Sequence, residues 1–112
     1  AGMRVVLTDR AVADLERIGD AIARDNPSRA VTFVRELRAS CLGLAEHPAR
    51  FPLVPAYAHA ALRRRVHGNY LIFYRIGPEA VEIVHILHGA MDYDRILLPE
   101  AVRAQPSSGS PT

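Results

Sequence analysis

The sequence predicts an α+β fold with the element order β-α-α-β-β-β, in which a helical hairpin packs on one face of a small, mostly antiparallel sheet. Three observations predict it. A short β-branched run opens the chain, and two stretches with helical apolar periodicity follow, separated by a proline. The second half holds stretches rich in β-branched and aromatic residues, divided by tight turns. Helices and strands each need a cover for their apolar faces, so the two halves are expected to pack together.

Length and composition bound the class of protein. The chain has 112 residues, 49% of them hydrophobic, which is enough for one compact core. We expect one domain over residues 3–98, a disordered tail over residues 99–112 and a cloning scar at residues 1–2. The single cysteine, Cys41, excludes an internal disulfide and fits a reducing cytoplasm. The apolar runs are too short to span a bilayer, and no signal peptide is visible.

The net charge of +2 is mildly basic and permits an anionic partner without requiring one. The charge is unevenly placed, because four arginines fall within residues 63–75. Totals alone favour a solvated strand face for these arginines. The sequence around these arginines is therefore needed to distinguish a solvated surface from a binding site.

Local signals define the first three elements. Residues 3–7 are predicted to form a strand, and Thr8 or Asp9 is expected to cap the helix that follows. Pro27 ends that helix, and Asn26 caps a second helix predicted to reach about Glu46. The short joint predicts an antiparallel hairpin. The apolar faces are predicted from the spacing: Ala11, Leu15, Ile18 and Ile22 in the first helix, and Ala30, Phe33, Val34, Leu37, Cys41 and Leu44 in the second.

The rest of the chain predicts a loop and three strands. Three prolines within eight residues break the periodicity after the second helix, so residues 47–60 are predicted to be a loop. Two strands joined by a tight turn at Gly68 and Asn69 follow. The nearly continuous apolar content of residues 80–89 predicts a strand in a central position. The side chains expected to pin the loop are Phe51, Leu53 and Tyr57.

The stretch LRRRVHGNYLIFYRI, residues 62–76, places three consecutive arginines beside the most apolar strand. One side of a strand must face the helices, so at least one arginine is expected at the core edge with a carboxylate or carbonyl partner. Asp92 and Asp94 are candidate carboxylates. The other arginines remain available for phosphate or an acidic partner. Strand alternation puts Leu62, Arg64 and Val66 on one side and Arg63, Arg65 and His67 on the other.

The sequence offers little for catalysis. His85 and His88 lie three apart on one strand and are expected on opposite faces, and no Cys/His spacing matches a zinc site. No nucleophile elbow and no phosphate-cradling glycine loop is present, and no cofactor is predicted. Arg65, His88 and Tyr93 are the candidates for an acid/base and phosphate-binding set that would cleave RNA. The favoured interpretation is structural: the His88 ring bonds to backbone, and Tyr93 packs on the sheet.

Four segments in this order carry a family resemblance: DRAVADLERIGDAIARDNP, LAEHPARFP, LRRRVHGNYLIFYRI and VEIVHILHGAMDYDRIL. Together they resemble the ParE toxins of the RelE/ParE superfamily, the toxin halves of bacterial type II toxin–antitoxin pairs. The resemblance covers about residues 5–98. It implies the same β-α-α-β-β-β fold and a cognate ribbon-helix-helix antitoxin, through which operator DNA would be bound only indirectly. It also implies inhibition of DNA gyrase, whereas RelE-like cousins cut mRNA on the ribosome.

The matching positions favour the gyrase branch. Leu71 stands where the RNA-cutting cousins commonly have a basic residue, and the last strand ends in Leu87-His88-Gly89 rather than in a His-Tyr or basic cluster. The arginine that ParE-like toxins commonly carry at the start of their middle strand falls on Arg63. Two departures stand out: Arg64 and Arg65 occupy places where many relatives have neutral residues, and residues 49–51 replace a glycine-containing segment.

We therefore expect a cytoplasmic ParE-like toxin that inhibits a topoisomerase by protein–protein contact rather than by catalysis, silenced by a ParD-like antitoxin. One alternative is a ribosome-dependent mRNA endonuclease. Another is a non-toxic relative retained as a binding module or co-repressor. No metal and no membrane partner is expected. The residues predicted to bind the target or the antitoxin are Arg63, Arg64, Arg65, Arg75 and Asp92.

Overall fold

The structure, a computed structural model, describes residues 3–91 and 93–97. A helical hairpin lies on a four-stranded sheet with the strand order β1-β4-β3-β2. β1 pairs in parallel with β4, and the other neighbours are antiparallel. This confirms the predicted β-α-α-β-β-β fold and the central position of the last strand. The elements are β1 (Arg4–Leu7), α1 (Asp9–Ala23), α2 (Pro27–Leu42), β2 (Arg63–His67), β3 (Tyr70–Ile76) and β4 (Ala80–His88).

Both predicted helix caps are present. The Thr8 hydroxyl accepts a hydrogen bond from the Ala11 backbone N–H at 3.2 Å, and the Asn26 side chain accepts one from the Arg29 N–H at 3.0 Å. α2 ends at Leu42, four residues before the predicted end, and a 3₁₀ turn follows over Gly43–Ala45. Glycine disfavours the α-helix, and the carbonyl of Ala45 accepts instead from the N–H of Met3. The 3₁₀ turn that follows α2 is therefore hydrogen-bonded to the residue that precedes β1.

The sheet is covered on both faces, where the sequence predicted a cover on one. The helical hairpin covers the first face. The second face packs against the loop after α2 and the helical turn at residues 93–97. We call the two groups of buried side chains the helix-side core and the loop-side core. The helix-side core includes Leu15, Leu37, Cys41, Ile72, Tyr74 and Ile83, and the loop-side core includes Tyr57, Leu62, Phe73, Val84, Leu87 and Leu97.

The loop after α2 is only partly held as predicted. Phe51 packs against the helix-side core, and Tyr57 is buried in the loop-side core. Leu53 does not pin the loop through its side chain, which is exposed. Its backbone instead forms a bridge with Arg63. Leu53 therefore holds the loop through backbone pairing with β2, and not through burial of its side chain as predicted.

A β-bulge in β4 determines which side chains reach the helices. Phe73 pairs with His85 and Tyr74 pairs with Ile83, so Val84 is an extra residue in β4. Ile83 and Ile86, although three apart, both belong to the helix-side core. The bulge lies beside the point where β1 ends, because β1 pairs with β4 only as far as Ile83. Among residues 3–91 and 93–97, the remainder of β4 has no strand neighbour on that side.

Some predictions lie outside the described residues. These are the scar at residues 1–2, the binding role of Asp92 and the tail over residues 99–112. Within residues 3–91 and 93–97, no helix is long and apolar enough to cross a membrane. No group of three or more His, Cys, Asp or Glu side chains in the same ranges is arranged to hold a metal ion.

Candidate protein-binding surfaces

Arg63 and Arg65 join the sheet to the loop and to α2. Arg63 Nη1 donates to the carbonyl of Phe51 at 2.6 Å and to that of Ala49 at 3.3 Å. Arg65 Nη1 donates to the carbonyl of Ser40 at 2.8 Å, and its guanidinium lies 5.0 Å from the centre of the Phe51 ring. At least one arginine with a carboxylate or carbonyl partner was expected, and two arginines with carbonyl partners confirm it.

Asp94 is not the partner of these arginines. Its carboxylate accepts a hydrogen bond from the Tyr57 hydroxyl at 2.6 Å. That bond ties the helical turn at residues 93–97 to the loop, on the face of the sheet opposite to Arg63 and Arg65. Asp94 is therefore not the carboxylate partner for which it was a candidate, and Asp92, the other candidate, lies outside the described residues.

Arg64 and Arg75 differ from the other two arginines that were predicted to bind a partner. Arg64 pairs with Phe73 across the sheet and lies on the loop side, and within the described chain its side chain makes no hydrogen bond or ion pair. Arg75 Nε donates to Glu82 Oε1 at 3.3 Å, and both side chains are partly exposed. Such exposed pairs contribute little to stability. Arg64 is thus the predicted arginine whose charge is least engaged by the fold.

The three candidates for RNA cleavage do not form one site. Arg65 lies on the helix side of the sheet, whereas the Tyr93 ring packs 5.4 Å from the Phe73 ring in the loop-side core. His88 Nδ1 accepts from the Ala90 N–H at 3.0 Å, and its ring meets Tyr70 edge-on at 5.1 Å. The predicted contacts are present: the His88 ring bonds to backbone, and Tyr93 packs on the sheet. Arg65 and Tyr93 would need to reach one phosphodiester from opposite faces of the sheet.

An apolar groove of about 700 Å³ runs along the outer surface of the helical hairpin. Gly19 lies at the helix crossing, where an added Cβ would be 3.1 Å from Val34 Cγ2. The absence of a side chain there lets α1 and α2 approach closely. Val31 is 60% exposed at the groove wall. The groove could have been found from the sequence, because its lining residues recur at intervals of four, three and four in each helix. They are Val12, Glu16, Gly19 and Ala23 in α1 and Pro27, Val31, Val34 and Arg38 in α2.

Two buried titratable groups beneath the helices are structural. Burial raises the pKa of the Cys41 thiol to about 12, against smaller opposing effects of the positive charges of Arg65 and Arg38. Tyr74 donates from its hydroxyl to the Pro48 carbonyl at 2.6 Å, and burial raises the pKa of this hydroxyl as well. Neither group ionises near neutral pH. They fill the core rather than serve as nucleophile or base.

A buried carboxylate and imidazole lie at the uncovered end of β4. Asp14 Oδ2 accepts from the Ile86 backbone N–H at 2.9 Å and lies 2.8 Å from His85 Nδ1. Arg17 forms an ion pair with the other oxygen of Asp14. The sequence interpretation missed this cluster. The sequence feature that could have indicated this cluster is an acidic residue on the apolar face of α1, between Ala11 and Leu15. An unpaired charge is unfavourable at such a position.

Comparisons with known proteins show that the chain is similar to toxins of the ParE and RelE kinds. The model of the family described as "ParE toxin of type II toxin-antitoxin system, parDE" matches residues 5–93. Toxin ParE1 of Caulobacter vibrioides is 36% identical over 87 residues, which cover 77% of this chain and 88% of that protein. Toxin RelE2 of the same organism is 39% identical over 88 residues, which cover 78% and 96%.

Two solved structures share the fold. One belongs to a chromosomal ParDE toxin–antitoxin system from P. aeruginosa, with a TM-score of 0.68 at 19% identity, covering 77% of this chain and 95% of that one. The other belongs to the RelBE2 toxin–antitoxin complex from Mycobacterium tuberculosis, with a TM-score of 0.60 at 21% identity, covering 79% and 99%. Both support the α+β architecture described above.

Proposed function

The chain belongs to the ParE toxin family of type II toxin–antitoxin systems, and we propose that it blocks DNA replication by inhibiting DNA gyrase through protein–protein contact. The observation that carries this proposal is the separation of Arg65 from Tyr93 by the thickness of the sheet. General acid/base catalysis requires its groups within hydrogen-bond reach of one substrate. An inhibitor that acts by binding requires only an exposed surface.

Arg64 is the residue that we assign to target contact. Its guanidinium is held by no described neighbour, and it projects from the loop side of β2, where Arg63 and Arg65 do not reach. Unengaged arginines at an interface offer five donors in a planar fork and commonly contribute strongly to binding. Arg75 lies on the adjacent strand, and its pair with Glu82 is exposed enough to exchange partners.

The experiment is a supercoiling assay with purified gyrase and increasing amounts of the antitoxin-free protein. Supercoiling is expected to fall in proportion to added toxin, and Arg64→Glu is expected to need about tenfold more protein for the same inhibition. Arg35→Glu, a charge reversal at an exposed arginine of α2, is the matched control and should inhibit like the parent. Undiminished supercoiling at saturating toxin would refute gyrase as the target.

We propose that a ParD-like ribbon-helix-helix antitoxin silences the toxin. An amphipathic helix of the antitoxin would occupy the apolar groove on the outer surface of the helical hairpin, which we call the α1–α2 groove. Glu16 and Asp20 line the α1 side of this groove and Arg38 lies in the α2 wall, so charges flank an apolar floor. A helix with apolar residues at i, i+3, i+4 and i+7 fits such a groove. The related solved structures come from toxin–antitoxin systems, which supports a partner of this kind.

Matched valines test the groove. Val31 lies in the groove and Val66 lies on β2, and they are 60% and 61% exposed. Val31→Asp is expected to weaken antitoxin binding by about a hundredfold, because it places a charge in a desolvated contact. Val66→Asp should leave the affinity within about twofold of the parent. Equal loss in both variants, or in neither, would place the antitoxin elsewhere.

One observation favours a second function. Toxin RelE2, at 39% identity, carries the name of the RNA-cutting branch. A ribosome-dependent mRNA endonuclease would use Arg65, His88 and Tyr93, and binding to the ribosome would have to bring a substrate to residues that the fold holds apart. Cleavage that survives His88→Ala and Tyr93→Phe would exclude this set of residues as the catalytic one.

A further inference from the structure

A small pocket of about 220 Å³ lies between α1, the start of β3 and the end of β4, and we call it the β4-end pocket. It lies on the flank of α1 opposite to the α1–α2 groove, and the two cavities share no residue. Its buried floor includes Leu87. Its accessible wall is formed by Arg17 and Ala21 from α1, Tyr70 from β3, His88 from β4 and Met91 from the turn that follows.

Three polar side chains of the β4-end pocket retain unused donors. The Tyr70 hydroxyl and the Nε2 of His88 make no hydrogen bond in the part of the chain that the structure describes. Neither atom is buried, because within those same ranges the Nε2 of His85 is the one buried side-chain nitrogen or oxygen without a partner. Arg17 gives part of its guanidinium to Asp14, yet its side chain is 63% exposed and keeps further N–H groups.

Two of these donors are held in place before any ligand arrives. The Ala90 N–H donates to Nδ1 of His88 at 3.0 Å, so the neutral ring carries its proton on Nε2. The Tyr70 ring packs between Phe33 and His88, with ring centres 5.5 Å and 5.1 Å away. Groups that are already ordered lose little conformational freedom when they bind. The pocket is therefore preorganised for an acceptor.

The charge and the apolar surface of the pocket indicate a ligand with one negative charge and an aliphatic part. The planar guanidinium of Arg17 matches a carboxylate, and because Asp14 already shares its charge, it does not compensate a doubly charged phosphate. The other two donors are neutral. Met91, which is 43% exposed, and Ala21 supply apolar surface at the mouth, and covering them removes that surface from water.

We infer that the β4-end pocket binds a short aliphatic carboxylate. Arg17 pairs with the carboxylate, the Tyr70 hydroxyl and the Nε2–H of His88 donate to it, and the aliphatic group lies against Met91 and Leu87. A small branched carboxylic acid and the C-terminal residue of a peptide are the two sources with this chemistry. The volume of the pocket suits a ligand of this size rather than a larger one. This site is independent of the proposed action on gyrase.

The test is a titration of the full chain, labelled with ¹³C in its methionine methyl groups and followed by NMR at constant pH and ionic strength. The chain has two methionines: Met91 lines the pocket, and Met3 packs against the helix-side core and serves as the internal reference. 4-Methylpentanoate is expected to shift the Met91 signal in a saturable way and to leave the Met3 signal in place. 4-Methylpentanamide lacks the charge and acetate lacks the aliphatic group, so each should bind about tenfold more weakly.

The peptide acetyl-alanyl-leucine with a free carboxylate distinguishes the two sources. Binding at least as tight as that of 4-methylpentanoate would assign the pocket to the C-terminal residue of a peptide. Weaker binding, or none, would assign it to a free small acid, because the peptide chain would then obstruct the pocket mouth.

Matched variants separate this site from general attraction to a basic chain. Tyr70→Phe removes one hydroxyl, keeps the ring contacts and should weaken binding of 4-methylpentanoate about tenfold. Arg17→Gln should have an effect of about the same size, whereas Arg35→Gln, the same charge change at an exposed position of α2, should bind like the parent. An unchanged Met3 signal shows that each variant keeps its fold. A Met91 shift without saturation, equal affinity for the amide, or equal loss in Arg17→Gln and Arg35→Gln would overturn the proposal.

Discussion

The carboxylate of Asp14 accepts a hydrogen bond from the backbone N–H of Ile86 at 2.9 Å, so a side chain of α1 completes the pairing of β4 where β1 stops. A strand N–H that faced an apolar helix without a partner would be unfavourable. A charged residue on the buried stripe of α1 is thereby explained. The same carboxylate also holds the His85 ring in place, with its Oδ2 atom 2.8 Å from Nδ1.

Asp14→Ala should lower the free energy of unfolding by about 3 kcal/mol, because it leaves the Ile86 N–H unpaired and the Nδ1 of His85 without its acceptor. Urea denaturation measures the change. Asp20→Ala, at an exposed position of the same helix, is the control and should stay within about 0.5 kcal/mol of the parent. Equal effects of the two variants would show that Asp14 contributes no more than a surface acid.

The three consecutive arginines should differ in their contribution to stability. Arg65→Ala removes the bond to the Ser40 carbonyl and the contact with the Phe51 ring, and it should lower the free energy of unfolding by about 1–2 kcal/mol. Arg64→Ala, which removes no side-chain hydrogen bond or ion pair within the described residues, should stay within about 0.5 kcal/mol of the parent. Thermal or urea unfolding of the two variants in the same buffer decides the point.

Cys41 should resist alkylation in the native state. Only the thiolate reacts, and burial raises the pKa of this thiol to about 12, so almost none is ionised at pH 8. Iodoacetamide should label Cys41 only as fast as the protein opens, and fully once it is unfolded in urea. Mass spectrometry follows the reaction. Rapid labelling of folded protein at pH 8 would contradict the buried position of this side chain.

Tyr74 should contribute to alkaline unfolding. Its pKa is raised above the ordinary value of 10.0, mainly by burial, so the folded state holds the phenolic proton more tightly than the unfolded state. The stability from this group is therefore fully present below about pH 10 and is lost as pH rises through the folded pKa. Tyr74→Phe should be less stable at pH 7 by about 1 kcal/mol and should lose less stability between pH 9 and pH 11. Parallel pH profiles of the two proteins would refute this.

Most of the architecture could be predicted from residues that are close together in the sequence. Asn26 and Pro27 mark a helix start that depends on neighbours within a few residues, and Gly68 supplies the positive φ of the β2–β3 turn. The Val/Ile/Leu content of β4 correctly indicated a strand in a central position. The end of α2 was less predictable. A 3₁₀ turn follows it, and the Ala45 carbonyl in that turn accepts from the N–H of Met3, which is distant in sequence.

The candidate sites were harder to predict for the same reason. Alternation correctly separated Arg64 from Arg63 and Arg65, but the carbonyls that hold the latter two belong to the loop and to α2. Asp94 looked like an arginine partner from its charge, and it bonds Tyr57 instead. The pairing of Asp14 with Ile86 spans 72 positions, and no periodicity reports such a contact.

A paired assay of the antitoxin-free protein distinguishes gyrase inhibition from mRNA cleavage. One arm follows DNA supercoiling by gyrase, and the other follows mRNA integrity in a translating extract. We expect that supercoiling is lost while mRNA stays intact, and that His88→Ala and Tyr93→Phe inhibit gyrase as the parent does. Codon-phased cleavage of mRNA with unaffected supercoiling would show that the protein is an endonuclease and not a gyrase inhibitor.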